Sequence, residues 1–408
     1  MIIDVISRWI ELISLIFLTG TVLCRLWVIA PARSGSLNET AFPNMWRLFG
    51  PAIGVMAAAA TACLLARVAE IRFITIMAAV NLLPVVVQTH IGRVWLIRIS
   101  LLALLAIVFL GLRGKRREGR TALLAMLLII LLVSMTESAY GHAAYKGDFS
   151  AREIMDWLHL LGAMVWGGGL FVLSIFILPR IVEAENEPSL IAGIARRFSL
   201  MAGIAVGLMA ITAVYNFSVY VGGYSALIGT AYGLTVLAKT IPFLAVLALG
   251  AFNRYVCVLL LDEWAGLPPL SRGLIDRFAA RFFSLFINNQ DRGSGGGYWI
   301  ALRFKRLVRI EAFLVITLLL CTSLLGYEVP EPVMHTGNWK LSEPKIFTAS
   351  AGHEKSSLSN GGPSGFIVAA LLPGCASNRF IVYKEGRAYY FASKGDPRCM
   401  VKLKGFVS

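Results

Sequence analysis

Apolar residues in this chain come in long unbroken runs, at residues 6–29, 48–66, 92–112, 121–139, 154–178, 198–220, 231–260 and 310–326. A run of about 20 such residues is what the hydrocarbon core of a bilayer demands of a helix. The pattern therefore predicts an all-α polytopic membrane protein with eight transmembrane helices. Residues 71–90 are also apolar but are interrupted by Arg72, Asn81, Pro84 and Gln88. Read as a span they give a nine-helix alternative; read as a surface segment they leave eight. The first run reads as a retained span, because an acidic residue precedes it and no small-residue cleavage site follows.

The polar positions orient the runs. Residues 113–120 carry Arg113, Lys115, Arg116, Arg117 and Arg120, five positive charges in eight residues, which marks a cytoplasmic loop. Alternation then puts residues 140–153 and 221–230 outside, and residues 179–197 and 261–309, rich in Arg and Lys, inside. Both termini fall on the periplasmic side.

An internal repeat decides the doubtful segment. Trp9, Glu11, Gly20 and Pro31 align with Trp157, His159, Gly168 and Pro179 at a constant offset of 148. Thr89, Gly92 and Arg98 align with Thr230, Gly233 and Lys239 at an offset of 141. The chain reads as two tandem four-helix halves, 1–138 and 139–330, with residues 71–90 in the place of the outside loop 221–230. A tail, 331–408, follows. Its alternating runs, Arg379 to Lys384 and Arg387 to Ala392 around Glu385-Gly386, predict a hairpin. The tail is thus expected to be a small β-containing extracytoplasmic domain. Cys375 and Cys399 bracket that hairpin on the side where disulfides persist, and are expected to pair.

Composition agrees: 57% of the 408 residues are hydrophobic and 15% charged, which excludes a soluble globular domain. The formal charge of +15 lies largely in loops beside spans, so it reads as orientation and not as nucleic-acid binding. Cys24, Cys63, Cys257 and Cys321 lie singly in or beside apolar runs and read as packing residues.

Candidate chemistry lies in the exceptions to the apolar pattern. Glu11, Arg98, Glu137, Asp156, His159 and Lys239 all fall inside runs, where a charge costs a few kcal/mol unless it is paired or snorkels. Glu11, Arg98, Glu137 and Lys239 are expected to pair within the membrane, against the alternative that they are interfacial anchors. All five histidines (His90, His142, His159, His335 and His353) are placed on the outer side, and only His159 sits within a clear run. On a helix it shares a face with Asp156, Gly162, Ala163 and Trp166. His142, His159 and His90, with Asp156, are the candidate metal ligands, and Met135 and Met155 are weaker ones. Imidazole suits copper, zinc, iron and nickel, while thioether favours Cu(I). No nucleophile–base pairing, phosphate loop or cofactor fingerprint marks an enzyme.

Several of these motifs occur together in one family. Gly141-His142-Ala143-Ala144 and the stretch from Trp157 to Gly168, followed in order by Arg197-Phe198-Ser199, Thr230 to Gly233 with Lys239, Asn253-Arg254-Tyr255 and Glu311-Ala312, resemble the copper resistance protein D (CopD-type) inner-membrane family over about residues 5–330. The resemblance implies eight transmembrane helices and copper, as Cu(I) or Cu(II), taken from the periplasm across the bacterial inner membrane. It carries His142 and His159 as the best metal candidates. Two departures stand out: Glu11 occupies a place where many relatives have histidine, and residues 331–408 have no counterpart. The leading function is a copper-binding permease. The alternatives are a non-transporting subunit that holds or delivers copper to a periplasmic copper-binding protein or membrane complex through the tail, and a haem-binding electron carrier. The last would need paired histidines within the spans, and His159 has no such partner.

Overall fold

The structure, a computed structural model, describes residues 2–29, 42–72, 75–112, 119–140, 149–183, 188–221, 224–229, 231–268, 281–282, 296–327, 367–368, 379–384 and 387–392. The chain forms two compact units, Met1–Val329 and Pro330–Ser408. In the second unit, the described backbone comprises strands β1 (Ile367–Val368), β2 (Arg379–Lys384) and β3 (Arg387–Ala392), antiparallel in the order β1-β2-β3.

The first unit is helical. Its long helices are α1 (Ile2–Leu23), α2 (Phe42–Arg72), α3 (His90–Leu112), α4 (Arg120–Tyr140), α5 (Ala151–Val172), α6 (Pro188–Tyr220), α7 (Ala231–Phe252) and α8 (Gly296–Tyr327). Among the described residues, eight helices are long and apolar enough to cross a membrane, by length and composition. Residues 71–90 do not supply a ninth. They form two short helices, Ile76–Val80 and Leu83–Val86, of five and four residues. At 1.5 Å of rise per residue these reach only about 6–8 Å, far short of a bilayer. A Cβ on Gly92 would overlap the Val86 carbonyl, so only glycine lets the second short helix pack against the start of α3.

Helices α1 and α5 form the centre. Leu12, Ile16 and Phe17 of α1 pack in one apolar cluster with Leu170 of α5 and with α6 and α8, while Leu15, Leu18 and Val22 pack in another with α2, α3 and α4. The two central helices meet backbone to backbone at Gly20 and Gly168, the pair that the sequence repeat relates. A Cβ on Gly168 would lie 2.6 Å from the Ile16 carbonyl oxygen, and one on Gly20 would overlap the Gly168 carbonyl. Small residues at such crossings are how membrane helices gain packing contact without a hydrophobic driving force.

Just past that crossing both helices widen into π-helical turns, Cys24–Ile29 after α1 and Leu173–Ile177 after α5. A third such turn, Asn253–Cys257, continues α7. Such turns recur at functional sites. Helix α5 starts where it does because Ser150 caps it: its hydroxyl accepts from Glu153 N (3.3 Å), and Glu153 Oε2 accepts in return from Phe149 N (2.5 Å). This reciprocal arrangement holds the first turn of the histidine-bearing helix.

Candidate functional site

His159 lies on α5 facing α6. Gly162, one turn on, has the Ala205 carbonyl oxygen of α6 2.9 Å from where a Cβ would sit, so the two backbones come close. That approach brings Thr212 to the imidazole, with His159 Nδ1 and Thr212 Oγ1 3.0 Å apart. The threonine hydroxyl has one proton, and it is directed to the backbone at Leu208 O (2.8 Å) and Met209 O (3.1 Å). Its lone pair is then what the ring meets, which assigns the proton of a neutral imidazole to Nδ1 and leaves Nε2 as the free electron pair.

Asp156 turns the other way. Its Oδ2 accepts from Ser138 Oγ of α4 (3.0 Å), and that hydroxyl also bonds Glu153 O (2.9 Å). Three residues apart on one helix, His159 and Asp156 therefore bond different neighbours, and the imidazole meets Thr212 and the Met209 backbone of α6. His90 opens α3. Among the described residues no three His, Cys, Asp or Glu side chains converge as a metal-binding group. His142, His335, His353, Cys375 and Cys399 lie outside the described residues.

A second centre surrounds Arg98 of α3. Its Nη1 donates to Glu11 Oε1 of α1 at 2.5 Å and lies 3.0 Å from Glu137 Oε1 of α4. Its Nε donates to Thr136 Oγ1 and its Nη2 to Thr136 O, both at 2.8 Å. All three nitrogens of the guanidinium are engaged, and the three charged side chains are 1–3% exposed. Lys239, the repeat counterpart of Arg98, makes no ion pair within 4.0 Å among the described residues, and its electrostatic partner is Asp156. Next to this centre, Cys63 Sγ donates to Asp4 Oδ1 (2.9 Å) and Arg67 Nε lies 3.4 Å from Asp4 Oδ2. Cys63 is thus a hydrogen-bonding residue and not simply a packing one. Arg67 also stacks over the Tyr140 ring, 4.5 Å from its centroid.

A third centre was not legible as a site in the sequence. Hydropathy starts the last span at Ile310, which puts Glu311 at its edge. The helix instead begins at Gly296, and the candidate span runs Tyr298–Leu324, with Glu311 thirteen residues from either end. Arg303, Lys305, Arg306 and Arg309 lower the mean hydropathy of the added turns. The helical signal there is periodic instead: Ile300, Ala301, Phe304 and Val308 recur on one face and are all buried. Glu311 accepts a hydrogen bond from Asn253 Nδ2 in the π-helical turn, and both line a cavity of about 450 Å³ between α6, α7 and α8.

Eight apolar helices with ionisable side chains buried between them define a polytopic helical membrane protein. Residues 2–151 match the family model for the copper resistance protein D-like N-terminal domain, and residues 192–325 match that for copper resistance protein D. The helical unit carries both domains, and the chain belongs to the copper resistance protein D family. It is also 32% identical over 113 residues to the copper transport protein CutJ of Bacillus subtilis (strain 168). That stretch is 28% of this chain and spans only 20% of the relative. No solved structure matches the chain significantly.

Proposed function

We propose that the protein binds copper at the His159 end of the bundle and moves it from the periplasm across the bacterial inner membrane. The observation that carries this reading is the orientation of His159. Thr212 holds Nδ1, and Nε2 is left as a metal-binding lone pair inside an apolar span, where an ionisable group is functional by default. His142 joins from the segment before α5, with Asp156 and His90 as further ligands or supporting groups. The relative's name, copper transport protein, supports transport. The Gly20–Gly168 crossing and the matched π-helical turns support two tandem halves, 1–138 and 139–330. The basic segments support a topology with residues 113–120 and 261–309 in the cytoplasm and both termini, with the 331–408 tail, in the periplasm.

The separate compact unit after residue 329 favours a second reading, in which the tail docks a periplasmic copper-binding protein or a membrane complex and the chain delivers copper without transporting it. A Cys375–Cys399 disulfide would stabilise that tail. Copper accumulation in cells expressing the chain separates the two readings. Transport predicts accumulation that a His142→Ala/His159→Ala variant loses. Delivery predicts metal bound to the purified protein with no accumulation above background.

A further inference from the structure

We propose that Glu311 is a proton-binding carboxyl buried between α6, α7 and α8, reached through the groove between α6 and α7 and positioned by Asn253. Four observations meet there. Glu311 is 2% exposed, in a helix long and apolar enough to cross a membrane. Among the described residues its carboxylate has a hydrogen bond from Asn253 and no cationic partner within ion-pair distance. Asn253 opens a π-helical turn, is 5% exposed, and its Oδ1 has no hydrogen-bond partner among the described residues. Both side chains line the cavity of about 450 Å³, whose rim is formed by the exposed Leu200, Ile204 and Leu247.

The surrounding charges do not neutralise Glu311. Arg254 lines the same groove, but its Nη1 donates to Ser199 O (2.9 Å) and Ser199 Oγ (3.1 Å). On α6, Arg196 pairs with Asp262 and Arg197 donates to Val28 O. Lys239 lies fourteen residues before Asn253 along α7, and Arg309 of α8 is exposed. On α1, Glu11 is held by Arg98, and α1 meets α8 through the Trp9 Nε1 bond to Ile316 O (3.0 Å). α5 contributes the neutral Trp166.

A buried carboxyl without a counter-charge takes a proton in preference to standing ionised. The site for it is Oε2, because Asn253 already serves Oε1. Gly250 stands beside Oε2, and a Cβ there would lie 3.7 Å away. The groove therefore gives a membrane-dissolved reagent access to the protonated oxygen. Exchange of this proton for one singly charged cation, as Cu(I) is, would keep the groove neutral, and that link alone rests on the copper reading.

The test is labelling of the full-length protein in lipid vesicles with dicyclohexylcarbodiimide, which dissolves in the bilayer and modifies protonated carboxyls. Mass spectrometry should find the adduct on Glu311 at neutral pH and less of it as pH rises, in the unmutated protein. Glu311→Gln should abolish that adduct. Gly250→Leu, which keeps the carboxyl but covers Oε2, should reduce it several-fold. Asn253→Ala should shift the pH midpoint of labelling, which a merely structural residue would not do. No adduct on Glu311, labelling that ignores pH, or equal labelling of Gly250→Leu would overturn the proposal. Glu311→Gln should also lose copper accumulation while keeping the copper bound at His159, and accumulation at the parent level would overturn the exchange. If the parent accumulates no copper, the transport reading fails while the pH-dependent labelling stands, so the two fail separately.

Discussion

The centre around Arg98 and the centre around Glu311 solve one problem in opposite ways. Each buries carboxylate between helices of an apolar bundle. Around Arg98, two carboxylates are answered by a guanidinium whose remaining nitrogens are bonded to Thr136. Around Glu311 there is a neutral amide, a cavity and no ion pair among the described residues. The first arrangement ties α1, α3 and α4 together through a shared cation. The second opens onto a cavity and has no cation beside it among the described residues. A buried carboxyl beside a guanidinium reads as structural, and one facing a cavity without a cation as a working site.

The contrast predicts a graded set of effects. Arg98→Leu should be the most damaging, because it strands Glu11 and Glu137 without a cation; losing one partner of a buried pair costs about 3–5 kcal/mol. Thermal melting in lipid nanodiscs measures it, and adding Glu11→Gln and Glu137→Gln should restore much of the loss. A variant as stable as the parent would show the centre to be ornamental. Gly168→Leu comes next. It drives a side chain into the Ile16 and Gly20 backbone, and overpacking of this kind costs about 1–3 kcal/mol. The expected result is a lower melting temperature for a protein whose charged centres are intact.

Thr212→Val should cost about 1 kcal/mol, the worth of an ordinary hydrogen bond. Its larger effect should be on metal, because losing the group that orients a histidine ligand typically weakens binding by about 10–100-fold. Competition with a copper chelator reads this directly, and unchanged affinity would remove Thr212 from the site. Glu311→Gln should be the mildest for stability, within about 0.5 kcal/mol, because an amide replaces a neutral acid of the same shape. A loss of several kcal/mol would mean that Glu311 is ionised and paired, and the contrast between the two centres would collapse.

The fold was legible where the physics is local. Run length gave the clear spans, because a bilayer leaves little choice, and the internal repeat argued against a ninth. The repeat-related Gly20 and Gly168 turn out to be in contact. What was not legible depends on which neighbour a side chain meets. Asp156 and His159 share a helix face at a three-residue spacing, yet one bonds α4 and the other α6. Cys63 looks like packing until Asp4, 59 positions earlier, is beside it. The length of α8 was hidden for a different reason: four basic residues masked its amphipathic extension, and an averaged hydropathy cannot see a buried stripe beneath a charged face.

The central claim is that His159, with His142, holds copper. Its most direct test is the copper content of the purified full-length protein, compared with that of a His142→Ala/His159→Ala variant of matched melting temperature. The account predicts bound copper in the parent and its loss in the variant. A variant retaining as much copper as the parent would contradict it and move the search to Met334, His335 and His353 of the tail.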